Sequence, residues 1–193
     1  MSSLPAPTIE LAHDSPTERE TRDVLIDLMD MYPLDRWRYT DRIRISDGEI
    51  PHSHPVLTIG QTDREQPLRL LSTYIHEQLH WFWLLETHGE CPFAAMDEFA
   101  QEFPGLPVGP PDGCRSAFSN LLHIAINFWE LEGLSELIGR DAARSFIAGK
   151  PYYRAIYRLA LEKTDRIAAI LAAHDLAVPP MPPAERRFIT PNR

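Results

Sequence analysis

Apolar and polar residues along this 193-residue chain recur mostly at helical spacing, with one stretch at strand spacing. The first helical pattern opens at "SPTE", where Ser15 can cap, Pro16 takes the first helical position and Glu18 closes a capping box. This predicts a helix over 16–31, with Val24, Leu25, Leu28 and Met31 on one stripe. In "RIRISDGEIPHSHPVLTIG", Ile43 and Ile45 alternate with arginines, Asp47-Gly48 is a turn signal, and "VLTI" resumes strand character. A β-hairpin is expected there, its returning strand at an edge because Pro51 and Pro55 cannot donate to a ladder. Residues 67–88 read as a helix stopped by Gly89, apolar almost all round through Leu70, Leu71, Ile75, Leu79, Trp81, Phe82, Leu84 and Leu85. A short helix over 92–103, a loop over 104–113 and a long helix over 114–138 ending at Gly139 follow. A short segment around 141–148 is broken by "GKP", and a last helix runs over 151–174.

The fold class expected is therefore α+β and mostly helical, with a small β-hairpin ahead of a buried central helix. Residues 1–14 are expected as a loose leader, 15–175 as a single domain and 176–193 as a Pro-rich extended tail. No internal repeat is visible. The length is enough to bury a full core.

Composition narrows the function. A formal charge of −9 without a basic stripe argues against a nucleic-acid partner. The first twenty residues have neither a charged n-region nor an apolar h-region, and no apolar run reaches membrane-spanning length. A cytoplasmic location without a membrane partner is the expectation, with Cys91 and Cys114 as free thiols.

Against that background "YIHEQLHWFW", residues 74–83, stands out. On a helix, His76 and His80 point only about 40° apart, one turn up the same face, so both imidazoles can converge on one cation. Glu77 lies on the flank of that face, poorly placed as a third ligand but able to reach a water at the metal. This is the division of labour of H-E-x-x-H, two nitrogen ligands and one general base, set in a helix too apolar to hold such groups without partners.

A catalytic zinc takes three protein ligands. The continuation H-E-x-x-H-x-x-G-x-x-H fails, since Trp83 stands at the glycine position and Glu86 at the histidine position. A ligand from a second helix is the other route. Over 114–138, His123, Asn127 and Glu130 share one stripe of an otherwise apolar helix, whereas Glu132 and Glu136 form a separate pair. Glu130 is the favoured third ligand, with His123 as a rival ligand or a catalytic support and Glu136 as a further alternative.

"HEQLH" followed by a glutamate on a later helix resembles the gluzincin branch of the zincin metallopeptidases. The resemblance covers about half the chain and implies a zincin-like fold, one catalytic zinc held by His76, His80 and Glu130, and Glu77 as general base. It departs from that branch in having Leu134 where an E-x-x-x-D pattern needs its aspartate. The stretch "IPHSHPVLTIG…HEQLHW" is also similar to a group of uncharacterised bacterial proteins. In the zincin arrangement an edge strand lines the cleft, which makes the second strand of the hairpin, with His52 and His54 on one face, the candidate wall.

"PYYRAIY" places Tyr153 and Tyr157 on one helical face, and the Tyr153 hydroxyl is a candidate stabiliser of a developing oxyanion. The expected substrate is a peptide or a small amide-type molecule. Two alternatives remain: a metal-dependent enzyme acting on a small molecule at the same site, and a non-catalytic metal-stabilised binding module. A two-histidine, one-carboxylate set also serves divalent metals other than zinc.

Overall fold

A computed structural model describes residues 5–60, 66–86 and 93–176, the side chains of 84–86 excepted. Cys91, the expected helix stop at Gly89 and the tail from 177 lie outside the described residues. The described residues divide into two compact units, one ending at Leu85 and one beginning at Glu86. The architecture is mixed α+β and mostly helical, with a three-stranded parallel sheet.

In the first unit, β1 (Thr8–Leu11), α1 (Pro16–Met31), β2 (Arg42–Ile45), β3 (Leu57–Ile59) and α2 (Pro67–Glu86) follow in order, with a short 3₁₀ turn at Leu34–Trp37. The sheet order is β1-β2-β3, with Ile9 opposite Ile43 and Ile43 opposite Leu57. Part of the expected leader is thus a strand: Thr8-Ile9-Glu10-Leu11 alternates, but over only four half-exposed residues. Parallel neighbours need a crossover, and α1 provides it between β1 and β2.

The expected hairpin is not what forms. The chain does turn at Asp47-Gly48, but it then runs outward, bridges antiparallel between His52 and Thr58, and reverses again before β3. Two reversals restore the original direction, so β3 pairs with β2 in parallel. Pro51 and Pro55 fall in the connection, where no ladder needs their missing N–H.

The capping box forms as the sequence predicts: Ser15 Oγ accepts from the Glu18 N–H, and the Glu18 carboxylate reaches back to the Ser15 N–H. Glu18 does more than cap. Its buried carboxylate also accepts from the N–H groups of His13 and Asp47 and lies 3.0 Å from His13 Nδ1. Burial alone would raise its pKa. The hydrogen bonds from His13, Asp47 and Ser15 outweigh that and lower it to about 2. The core of this unit joins Leu25, Ile43, Ile45, Leu57 and Ile59 to Leu70, Leu71, Tyr74, Ile75, Leu79 and Phe82.

The second unit is all-helical: α3 (Phe93–Glu102), α4 (Ala117–Ile138), α5 (Arg140–Ala148), α6 (Arg154–Glu162) and α7 (Thr164–Ala173). Its axis is α4, capped by Ser116 and ended at Gly139, whose φ of 87° suits glycine and lets α5 start at once. Residues 123–131 are all buried, as expected of a helix surrounded by α3, α5, α6 and α7. The single last helix expected over 151–174 is two helices, because Lys163 leaves helical geometry at the polar run Glu162–Asp165. Buried Cys114 is a free thiol, pushed by burial up to about 11. Among the described residues no helix is long and apolar enough to cross a membrane.

Candidate metal centre

The H-E-x-x-H residues lie within one unbroken helix, α2, of the first unit. Its apolar residues bury it so thoroughly that, over 70–83, only Thr73 and His80 escape the buried class. These two are seven residues apart, two turns along one line of the helix surface. His76, 8% exposed, lies between them on that line, and Glu77, 7% exposed, lies on its flank. Over residues 70–83 the imidazoles therefore lie along the edge of α2 that solvent reaches.

The pair geometry can be tested against a metal. The rings of His76 and His80 have centroids 5.2 Å apart and stand edge to face at 68°, and a ligand nitrogen of one lies within 4.8 Å of a ligand nitrogen of the other. A metal roughly 2.0–2.1 Å from a ring nitrogen lies about 3.2 Å from the ring centre. Two rings at the observed separation then subtend about 110° at that point, the tetrahedral angle that zinc prefers. The separation of the two rings is compatible with both imidazoles binding one zinc ion.

Two further contacts hold this stretch of α2. Trp81, next to His80, donates its indole N–H to the Ser53 carbonyl at 2.9 Å and stacks on the His54 ring at 4.3 Å between centroids. The connection between β2 and β3 is thus fastened beside the H-E-x-x-H turn. His52 and His54 do not share a strand face as expected, because neither lies in a strand. His52 instead accepts from the Thr58 N–H at 2.7 Å and donates to the Thr58 carbonyl at 3.0 Å, closing the outer edge of β3 at its middle residue.

Gln78, inside the motif, is fully buried. Its Oε1 accepts from the N–H groups of Tyr39 and Thr40, at 2.7 and 2.9 Å, and its Nε2 donates to the Thr40 carbonyl at 3.0 Å. It satisfies irregular backbone that would otherwise be orphaned. The sequence signal for it is a polar residue in an otherwise apolar stretch, between Glu77 and Leu79.

The candidates on α4 belong to the second unit. His123, 7% exposed, has Nδ1 2.8 Å from the Ser119 carbonyl. A carbonyl only accepts, so Nδ1 carries the proton and Nε2 the lone pair, the tautomer of an Nε2 metal ligand. Tyr153 packs its ring 4.9 Å from that of His123. It does not share a helical face with Tyr157, since it is the left-handed cap residue before α6, at φ 51°. Asn127 is fully buried, and neither its Oδ1 nor its Nδ2 has a hydrogen-bond partner among the described residues.

Glu130 is fully buried as well, and its unit supplies it with partners. Oε1 accepts from the Lys150 ammonium and Oε2 from the Tyr157 hydroxyl at 2.7 Å. Lys150 also donates to the Tyr157 oxygen at 2.9 Å. Burial first, and then the negative charge of Glu130, push the Tyr157 phenol well above its usual range, so it remains a donor. This carboxylate needs no metal to explain its burial. Nothing in the sequence pattern marks Lys150, because "GKP" carries no periodicity. Glu136, the further alternative, is exposed.

A second group of ligand-type atoms, on His13, Glu18 and Asp47, also lies within 4.8 Å of one another. Backbone N–H groups account for that carboxylate. Comparisons with protein-family models, curated proteins and solved structures found no match for this chain.

Proposed function

We propose that the protein is a divalent-metal-dependent hydrolase of the metallopeptidase type, zincin-like in its active-site helix, that cleaves an amide bond. One observation carries this reading: two imidazoles, spaced for a tetrahedral ion and flanked by a carboxylate, occupy the solvent-reached edge of an otherwise buried helix. His76 and His80 are the nitrogen ligands. A divalent ion held by them would supply Lewis-acid chemistry, polarising an amide carbonyl and acidifying a water. Glu77 takes the proton from that water and returns it to the leaving nitrogen. The ligand expected from α4 is tested by chemistry: His123 carries the tautomer a nitrogen donor needs, whereas Glu130 already has a cation.

The closed edge of β3 favours a second reading. An extended peptide adds to a sheet through free backbone groups, and those of Thr58 are taken by His52. A small amide, needing no strand edge, is then the better substrate at the same metal.

Metal content and turnover test the proposal together. The parent should carry about one divalent ion per chain, H76A and H80A should lose it, and Glu77→Gln should keep it while hydrolysis falls at least about 10²-fold. Measuring metal in H123A and E130Q tests whether α4 supplies a ligand at all. Turnover by Glu77→Gln near the parental rate, or undiminished metal in H76A and H80A, would sink the reading.

A further inference from the structure

The second unit contains a cleft of about 570 Å³, within the size range of small-molecule sites, that the metal reading does not use. Its lining includes three cationic side chains, Lys150, Arg154 and Arg158, against one carboxylate, Asp112. In a chain of net charge −9 this is a local inversion of sign. An arginine pair one turn apart on an exposed helix is by itself an ordinary solvated face. The buried lysine makes this cleft different.

The Lys150 side chain is 5% exposed and held from behind. Two of its three ammonium hydrogens go to Glu130 and Tyr157, and the rings of Phe146, Tyr152 and Tyr157 surround it within 5.7 Å. The third hydrogen has no hydrogen-bond partner among the described residues. A buried ion pair contributes little net stability compared with apolar packing. What this one does is fix a charged donor in the wall of a cleft.

Arg154 is oriented as well. Its Nε donates to Asp112 at 2.9 Å, and the backbone N–H groups of Arg154 and Ala155 donate to the carbonyls of Pro111 and Asp112. That leaves the terminal guanidinium nitrogens of Arg154, and the whole guanidinium of Arg158, without a carboxylate among the described residues. Ile147 and Leu161 give the same cleft an apolar wall.

We propose that this cleft binds a small organic anion, its carboxylate or phosphate held by Lys150, Arg154 and Arg158 and its apolar body resting on Ile147 and Leu161. Fixed cations with spare donors recognise oxyanions through charge-assisted hydrogen bonds, and guanidinium groups match them in pairs of bonds. The volume suits a molecule of one or two rings rather than a polymer.

Calorimetric titration of the full chain at constant ionic strength tests this with phenyl phosphate, benzoate and inorganic phosphate. Saturable one-to-one binding of phenyl phosphate or benzoate is expected, the tighter of the two identifying the head group. Arg158→Ala and Arg154→Ala, both at exposed positions, should each weaken it about tenfold. Arg22→Ala, on α1, should leave it unchanged. Absence of saturation with both organic probes, or equal weakening by Arg22→Ala, overturns the site. Equal affinity for inorganic and phenyl phosphate overturns the assignment of an apolar body.

Discussion

Replacing Lys150 with methionine removes a charge while keeping an unbranched stem, and its cost can be worked out in advance. Glu130 is fully buried, so the change leaves a carboxylate in the second unit without its ammonium. Breaking a buried pair from one side costs about 3–5 kcal/mol. Protonation sets a ceiling, because the folded variant can take up a proton instead of keeping the charge. For a carboxyl with a reference pKa near 4.3 that costs about 3.7 kcal/mol at pH 7, and about 1.4 kcal/mol less for each unit below. The expected loss is thus about 3–4 kcal/mol at pH 7 and about 1 kcal/mol at pH 5. The sign is fixed by linkage. In the variant the folded pKa of Glu130 lies above its unfolded value, so stability relative to the parent is kept below about pH 4.3 and lost as pH rises through the folded value. Urea unfolding of parent and Lys150→Met from pH 5 to 8, followed by circular dichroism, measures this. Adding Glu130→Gln should recover most of the loss at pH 7. A loss below about 1 kcal/mol at pH 7, or one equal at pH 5 and pH 7, would refute Lys150 as the neutralising partner and return Glu130 to the list of metal ligands.

Two further predictions concern the first unit. Gln78→Leu leaves two buried backbone N–H groups and a carbonyl without their partner, and should cost about 3 kcal/mol or more in urea unfolding; a loss under about 1 kcal/mol would mean that the segment at Tyr39–Thr40 finds other partners. Glu18 has its folded pKa lowered to about 2, so its contribution is present above the unfolded glutamate value of about 4.3 and lost as pH falls toward 2. Glu18→Gln should therefore be less stable than the parent at pH 7 and should flatten the acid limb of a plot of urea midpoint against pH between 2 and 5; an unchanged limb would show that other carboxylates govern acid unfolding.

Helices were legible wherever a cap or a glycine punctuated a periodic run. Ser15, Pro16 and Glu18 located α1 to the residue, and Gly139 located the end of α4. The sheet was not legible, for a reason of geometry. A turn signal such as Asp47-Gly48 reports one reversal of the chain, and strand direction depends on how many reversals follow. The second, between His52 and Thr58, is held by backbone pairing that no side-chain pattern encodes. β1 was invisible because a four-residue strand offers too few alternations to stand above chance.

The site divides along the same lines. His76, Glu77 and His80 were readable because their spacing and the helical period are a single fact, so placing the helix places the three groups. Glu130 was harder. A polar residue on a buried helical stripe reveals that it has a partner but not which one, since the stripe describes a single helix and the partner comes from elsewhere. Two buried polar groups can satisfy each other as well as a metal satisfies either. Lys150 sits twenty residues beyond Glu130 in an aperiodic turn between Gly149 and Pro151, the kind of position that pattern reading treats as punctuation. Gln78 makes the same point within the motif itself, its partners being the irregular backbone of Tyr39 and Thr40. A buried polar position therefore warrants a search through the loops for its counter-group before a cofactor is invoked, as Lys150 shows for Glu130.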